Sequence, residues 1–351
     1  MKQWLLGLIC LVSGFYSVSV FAEDTSTTEV DSNVTPKTIF MVVWRGCEEA
    51  CEGFQSYIKD SGVSANIIVR DANRNKSRLN AFVEEAKRLQ PDLVVTWGTS
   101  VSKGVIGTIE EFGSGTKLGD IPVLFMIVAD PIGADIVASY ENSGRAMVTG
   151  IRNRIPDEVQ IRAMRDYFPV NKVGVIYSEA ELNSILNTQN LDSLSKEMKF
   201  ELFKEVYVLD DKGVPYPEQF DELMSSLALE GVDVVYVGSS SYNLDHADQF
   251  TEAALKYKLP VASAYDSMVT NSNALISVSN KYYRVGRFAG SQAKKILVEG
   301  KVPGELEVAA LSQFSISINM STAKAIDQYP PIQLIRFADL VNVPQQTDVE
   351  Q

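Results

Sequence analysis

From Thr38 onward, short runs of β-branched and aromatic residues alternate with amphipathic stretches of helical period, and this alternation constrains the fold more than any other feature. Thr38–Val43, Asn66–Val69, Asp92–Thr96 and Pro122–Val128 read as strands. Glu48–Lys59, Lys76–Leu89 and Ser100–Glu111 read as the helices between them, the second with Leu79, Phe82, Val83 and Ala86 at helical spacing. Strands that alternate with helices build a parallel sheet covered on both faces. The rhythm restarts with a helix at Pro156–Tyr167, whose opening proline and acids suit a first turn. Strands follow at Lys172–Tyr177, Glu201–Leu209, Val232–Val237 and Val261–Ala264, with helices at Leu182–Met198, Pro217–Leu229 and Asp245–Tyr257 between them. A strand at Ala274–Val278, a helix at Tyr282–Leu297 ended by Gly300, a strand at Phe314–Ile318 and a short helix at Ser321–Ile326 complete the body. The expectation is an α/β protein with two Rossmann-like lobes, each built on a parallel sheet. The length, 351 residues, is more than a single core usually fills. No Gly/Ser-rich linker separates the halves, so the chain passes between them through ordered segments, as in a hinged pair.

The first 22 residues have the anatomy of a secretory signal. Lys2 supplies the positive start, Trp4–Val20 the apolar stretch, and Val20-Phe21-Ala22 the small residues of a cleavage site after Ala22. An uncleaved anchor is the alternative, since a spanning helix needs about 20 residues. Ser13, Gly14, Ser17 and Ser19 lower the hydrophobicity and favour cleavage. Cys10 follows a bulky Ile9, which fits a lipidation signal poorly. Residues 23–36 are polar and without apolar period, a disordered leader. Export puts the protein in the periplasm, away from ATP, NADH and a reducing thiol pool. There Cys47 and Cys51 favour pairing, although i, i+4 positions on one helix face lie near the outer limit of disulfide separation.

Several function classes fall away. The chain carries 32 Lys plus Arg against 45 Asp plus Glu, a net charge of −13, and loss of Lys2 makes the exported form more acidic still. Such a chain does not hold a phosphate backbone by bulk charge, so nucleic acid is not its partner. No second apolar run approaches a membrane span, so the exported part is expected to be soluble. There is no G-x-S-x-G elbow, no P-loop and no G-x-G-x-x-G after a strand. A single histidine, His246, leaves little scope for a catalytic triad or a metal site. No enzyme and no cofactor is expected.

Ligands of open parallel sheets bind beyond the carboxyl ends of the strands. Those ends read Trp44-Arg45-Gly46, Trp97-Gly98-Thr99-Ser100 and Ala129-Asp130-Pro131 in the first half. In the second half they read Tyr177-Ser178, Gly238-Ser239-Ser240-Ser241 and Tyr265-Asp266. Trp44 and Trp97 are candidate aromatic walls. Thr99 with Ser100, and Ser239 with Ser240, open helices with free N–H groups that suit a carboxylate; ordinary N-capping is the competing account. Arg45 and Arg152 could clamp a carboxylate, and Asp130 and Asp266 could receive an ammonium group. Pairing of these charges across closed lobes is the other account.

The order and spacing of several segments resemble a known family. They are Asp120-Ile121-Pro122-Val123-Leu124-Phe125, then Ala129-Asp130-Pro131-Ile132-Gly133-Ala134, Val148-Thr149-Gly150-Ile151 and Lys172-Val173-Gly174-Val175-Ile176-Tyr177. Leu259-Pro260-Val261, Tyr282-Tyr283-Arg284-Val285-Gly286-Arg287 and Ile318-Asn319-Met320-Ser321-Thr322-Ala323-Lys324 come after them. From Thr38 to Asp339 the chain resembles ABC transporter substrate-binding proteins of the type I periplasmic-binding fold, in the subgroup that includes tryptophan- and phenylalanine-binding members. The resemblance implies two lobes joined by three crossovers and closing on a ligand. Lobe 1 would hold 37–149 and 279–310, and lobe 2 would hold 150–278 and 311–340, with 341–351 a tail. It also implies ligand contacts at Ser100, Asp130, Ser240 and Asp266, a monomeric protein, an amino acid as cargo and a membrane ABC permease as partner. A sensor subunit that presents its loaded form to a membrane receptor would share the same fold. Trp44-Arg45-Gly46-Cys47 stands where the family usually has a small-residue turn, and Gly98-Thr99-Ser100 lacks its usual proline. Both departures fall in the expected cleft.

Overall fold

The computed structural model describes residues 35–344. The signal segment, its cleavage point, the leader as far as Val34 and the tail from Gln345 lie outside the described residues.

In chain order the first half runs β1 (Lys37–Val43), α1 (Glu49–Asp60), β2 (Ala65–Asp71), α2 (Leu79–Leu89), β3 (Leu93–Trp97), α3 (Thr99–Ile106), β4 (Val123–Val128) and β5 (Val148–Arg152). The second half runs α4 (Asp157–Arg165), β6 (Lys172–Tyr177), α5 (Leu182–Met198), β7 (Glu201–Val206), α6 (Phe220–Leu229) and β8 (Val234–Val237). It continues with α7 (Ser241–Asp245), α8 (Ala247–Lys256), β9 (Val261–Ser263), α9 (Ser267–Thr270) and β10 (Ile276–Ser279). The chain then passes through α10 (Tyr282–Leu297), β11 (Ala309–Ala310), β12 (Ser315–Asn319), α11 (Met320–Ala325), α12 (Ile332–Ile335) and β13 (Ala338–Val341).

The strands form two sheets. The first, in the order β11-β5-β4-β3-β1-β2, is parallel throughout. The second, in the order β13-β12-β10-β9-β8-β6-β7, is parallel except where β10 meets β12. The chain crosses from the first sheet to the second after β5, returns after β10 and crosses again after β11. β1 shows why its sequence reads as an unbroken apolar run. Phe40 and Val42 enter the core on one face of the sheet, while Ile39, Met41 and Val43 enter the core on the other. The second sheet is likewise buried on both faces: Val173 and Val234 pack on one side, Val235 and Val237 on the other.

α10 belongs in space to the first sheet, because it lies backbone-close against α1. A Cβ at Gly286 would sit 1.9 Å from the Ala50 carbonyl oxygen, and one at Gly53 would sit 2.1 Å from that of Tyr283. Arg287 ties the same pair of helices by donating to Ser56 Oγ and Asp60, at 3.0 and 2.7 Å. Gly286→Ala is therefore expected to force the helices apart and cost about 1–3 kcal/mol, the range of overpacked cores; urea denaturation measures it.

Several elements differ from the sequence-based expectation, which names none of α9, β11, α12 and β13. α3 stops at Ile106, well short of Glu111, because Gly107 turns left-handed at φ +69°. The buried Arg145 guanidinium then caps the end by donating to the carbonyls of Ile106 and Gly107. The helix expected over Asp245–Tyr257 is α8, and a separate short helix, α7, precedes it and parts from it at His246. Val148–Arg152, noted in the sequence only as a motif, is a full strand.

Cys47 and Cys51 are bridged, with Cα atoms 5.2 Å apart. The span is comfortable because Cys47 precedes the first residue of α1 and does not sit on its regular face. Closing so short a loop is worth about 2 kcal/mol by chain entropy. Cys47→Ser should lower stability by about that amount in thermal unfolding without reductant. No helix among the described residues is long and apolar enough to cross a membrane.

Candidate ligand-binding cleft

Strand order reverses between β1 and β3 in the first sheet and between β6 and β8 in the second. At such switch points neighbouring loops part and leave a crevice. The loops after β1, β3, β4 and β5 meet those after β8, β9 and β10 around an inner cavity of about 60 Å³. A cavity of about 150 Å³ holds one benzene, so the inner space fits a polar head group and not a whole aromatic ligand.

Of the residues expected at the site, Trp44, Arg45, Trp97, Thr99, Ser100 and Ser239 line this cavity together. Thr99 and Ser100 open α3 behind Gly98, which takes φ +86° to make the turn. No side chain caps this helix, and its first internal bond runs from Ser102 N–H to Gly98 O. The N–H groups of Thr99, Ser100 and Val101 therefore have no intrahelical partners at the positive end of the helix, and all three residues line the cavity. Trp97 meets Tyr282 edge-on at 6.4 Å, and Tyr282 meets Tyr265 in the same way at 6.5 Å, giving a continuous aromatic wall.

The other expected residues lie elsewhere. Ser240 caps α7 through Asn243 N–H and donates its own hydroxyl to Glu181. Ser241 N–H also bonds Glu181, at 3.1 Å. The anion expected at the Gly238-Ser239-Ser240 turn is thus supplied by the protein itself. Burial pushes the Glu181 carboxyl above its ordinary pKa, against the hydrogen bonds from Ser240 and Ser241. Asp130 closes its own turn by accepting Gly133 N–H at 2.8 Å. Arg152 stacks on Tyr140 at 4.2 Å. Tyr177 lines a separate groove on the second lobe, with Thr188 and Lys204. Asp266 accepts from the hydroxyls of Ser317 and Ser277 and stands outside the inner cavity.

The structure brings in residues to which the sequence reading assigns no ligand role: Asn153, Arg154, Asn183, Ser279 and Asn280, together with Tyr265, named only as a strand end, and Tyr282, named only within a motif. Arg154 donates to Asp157 Oδ1 at 2.5 Å, and that carboxylate also accepts from Tyr236, Asn187 and Asn190. Burial opposes the charge on Arg154, but Asp157 and the Tyr236 hydroxyl outweigh it and hold the pKa above the ordinary arginine value. A Cβ at Gly238 would lie 2.5 Å from the Arg154 guanidinium and 2.1 Å from Asn187 Oδ1, so a larger residue there would displace both side chains. Two buried donors, Trp97 Nε1 and Arg154 Nε, have no partner. Neither have three acceptors, Asn153 Oδ1, Ser279 Oγ and Asn280 Oδ1. All five belong to residues that line the cavity. Buried polar atoms without protein partners in a cavity wall are free to bond a bound ligand or water. Ile127, also in the wall, holds φ +57° at the bulge where β4 shifts register against β5. Such a conformation is costly for a β-branched residue and concentrates at functional sites.

An outer chamber of about 440 Å³ adjoins the inner cavity and shares Arg45, Leu244, Tyr265, Asn280 and Tyr282 with it. Arg45 stands at the junction, with its side chain only 5% exposed. It lies 5.3 Å over the Trp97 ring and donates to Glu48 and to Asp245. Asp245 comes from the second lobe and also accepts from Arg74, at 2.7 Å, so one carboxylate clasps two arginines of the first lobe. Burial works against the Arg45 charge, and Glu48 with Asp245 more than restores it.

Residues 39–339 match the family model described as ABC transporter substrate binding protein. The chain belongs to this family of substrate-binding proteins. A protein named tyrosine-binding protein, from Clostridioides difficile (strain R20291), is 29% identical over 289 residues, which are 80% of this chain and 77% of that protein. Among solved structures, a conserved domain protein from Vibrio cholerae superposes with a TM-score of 0.75 at 21% identity, covering 88% of this chain and 100% of that one. An ABC domain from Streptococcus pneumonia in complex with L-Trp gives 0.74 at 19% identity with the same coverage. The two sheets and their order are those of the type I periplasmic-binding fold.

Proposed function

We propose that this family member captures an amino acid, preferentially an aromatic one, between its two lobes outside the cytoplasmic membrane and delivers it to an ABC permease. The observation that carries the reading is the convergence on one interlobe cavity of unpartnered donors and acceptors beside an aromatic wall. The ligand carboxylate meets the free N–H groups at the start of α3 and the Nε of Arg154. Its amino group meets the oxygens of Asn153, Ser279 and Asn280. The ring extends past the junction of Arg45, Tyr265 and Tyr282, since the inner space alone is too small for it. The tyrosine and L-Trp named for two of the similar proteins agree with this chemistry.

A thermal-shift screen of the ligand-stripped protein tests the reading. Binding to the folded state alone raises the melting temperature by mass action. Tyrosine, tryptophan or phenylalanine should raise it, whereas sugars, nucleosides and vitamins should not. A shift confined to one of the latter classes, or none at all, would overturn the proposal.

A further inference from the structure

The outer chamber differs in character from the inner cavity. No Asp or Glu among the described residues lines the inner one; its acceptors are the neutral oxygens of Asn153, Ser279 and Asn280. The outer one is lined by Glu48, Glu49, Glu52, Asp245 and Asp266 against the single cation Arg45. Asp245 and Asp266 are occupied by Arg45, Arg74 and the two serines. Glu49 and Glu52 pair with nothing among the described residues, and Glu48 Oε2 is buried without a partner. Acids in a first helical turn suit the helix dipole by themselves, so they do not define a site alone. The second observation is Asn280. It is 6% exposed, lines both chambers, gives its Nδ2 to the Asn153 carbonyl at 2.9 Å, and is left with an unpartnered Oδ1 at the junction.

We infer that the outer chamber is a second ligand subsite for a cationic group, and that the cleft accepts dipeptides with a basic N-terminal residue. The inference rests on the proposed function, since it keeps the ligand carboxylate in the inner cavity. A neutral oxygen accepts a peptide N–H as readily as an ammonium N–H. A buried carboxylate facing that N–H would instead require a full counter-charge. In a dipeptide the C-terminal residue contributes the carboxylate, its amide N–H reaches Asn280 Oδ1, and the ammonium groups of the N-terminal residue enter the acidic chamber. The volumes agree: about 60 Å³ for the head group and about 440 Å³ for the rest of the ligand.

Calorimetry with tyrosine, Lys-Tyr and Glu-Tyr tests this, on the wild type and on a Glu49→Gln/Glu52→Gln variant. The two dipeptides match in backbone and differ in the charge offered to the outer chamber. Lys-Tyr should bind at least tenfold more tightly than Glu-Tyr, and the gap should shrink below threefold in the variant. If tyrosine binds while both dipeptides bind tenfold or more weakly than it does, the second subsite is refuted and the amino-acid reading stands. A lysine preference that survives intact in the variant likewise refutes the acidic chamber as its cause. If none of the three binds, the underlying reading fails together with the inference.

Discussion

Arg154→Ala is expected to lower the unfolding free energy by about 3–5 kcal/mol, the usual cost of removing one partner of a buried ion pair. The loss comes less from the vanished attraction than from the charge left behind. Asp157, with a side chain 2% exposed, is left with only the Tyr236 hydroxyl and the amides of Asn187 and Asn190 around it. The effect should be visible as an early midpoint in urea denaturation monitored by circular dichroism. Arg154→Lys separates folding from recognition. Lysine restores the positive charge beside Asp157 but lacks the planar fork that can serve Asp157 and a ligand together. That variant should stay folded and lose affinity.

Asp245→Ala is expected to act on closure and not on folding. The Asp245 carboxylate joins the lobes through charged hydrogen bonds of 2.9 Å to Arg45 and 2.7 Å to Arg74. Charged hydrogen bonds contribute about 1.5–3 kcal/mol, and the exposure of Arg74 places this pair toward the lower end. A closed form weakened by about 2 kcal/mol lowers ligand affinity by up to roughly thirtyfold, and by less the more closed the ligand-free wild type is. Small-angle scattering should show a larger radius of gyration for the ligand-free variant than for the wild type, with saturating ligand restoring the compact form. Equal radii would mean that the clasp does not hold the lobes.

Much of the fold is legible because a doubly covered parallel sheet writes itself into the sequence. β1 from Ile39, β4, and β6 from Val173 are apolar runs, and α5 and α10 carry the bounds read from the sequence. The elements that escape a sequence reading carry weaker signals. β5 contains Thr149 and Gly150, where Gly150 leaves room for the Phe125 ring, and β11 is two residues long. That gap has a consequence for the site. With β5 not read as a strand, Arg152 draws attention near its end while Asn153 and Arg154, the next two residues, do not, although it is they that line the cavity. The aromatic and hydroxyl residues at legible strand ends, Trp44, Trp97, Thr99 and Ser100, do line the cavity. Asp130, Arg152, Ser240 and Asp266 also flank strand ends, but each is engaged by a neighbour in its own lobe: a turn N–H, a tyrosine ring, Glu181 and a serine pair. Spacing along the chain reports which loop a side chain belongs to, not which partner reaches it first.

The most direct test of aromatic amino-acid capture is a calorimetric titration of the ligand-stripped wild type and the Arg154→Lys variant with tyrosine, tryptophan and phenylalanine. Saturable binding of at least one of them by the wild type is predicted, weakened tenfold or more in the variant. No binding of any of the three, or equal affinity in both proteins, would contradict it.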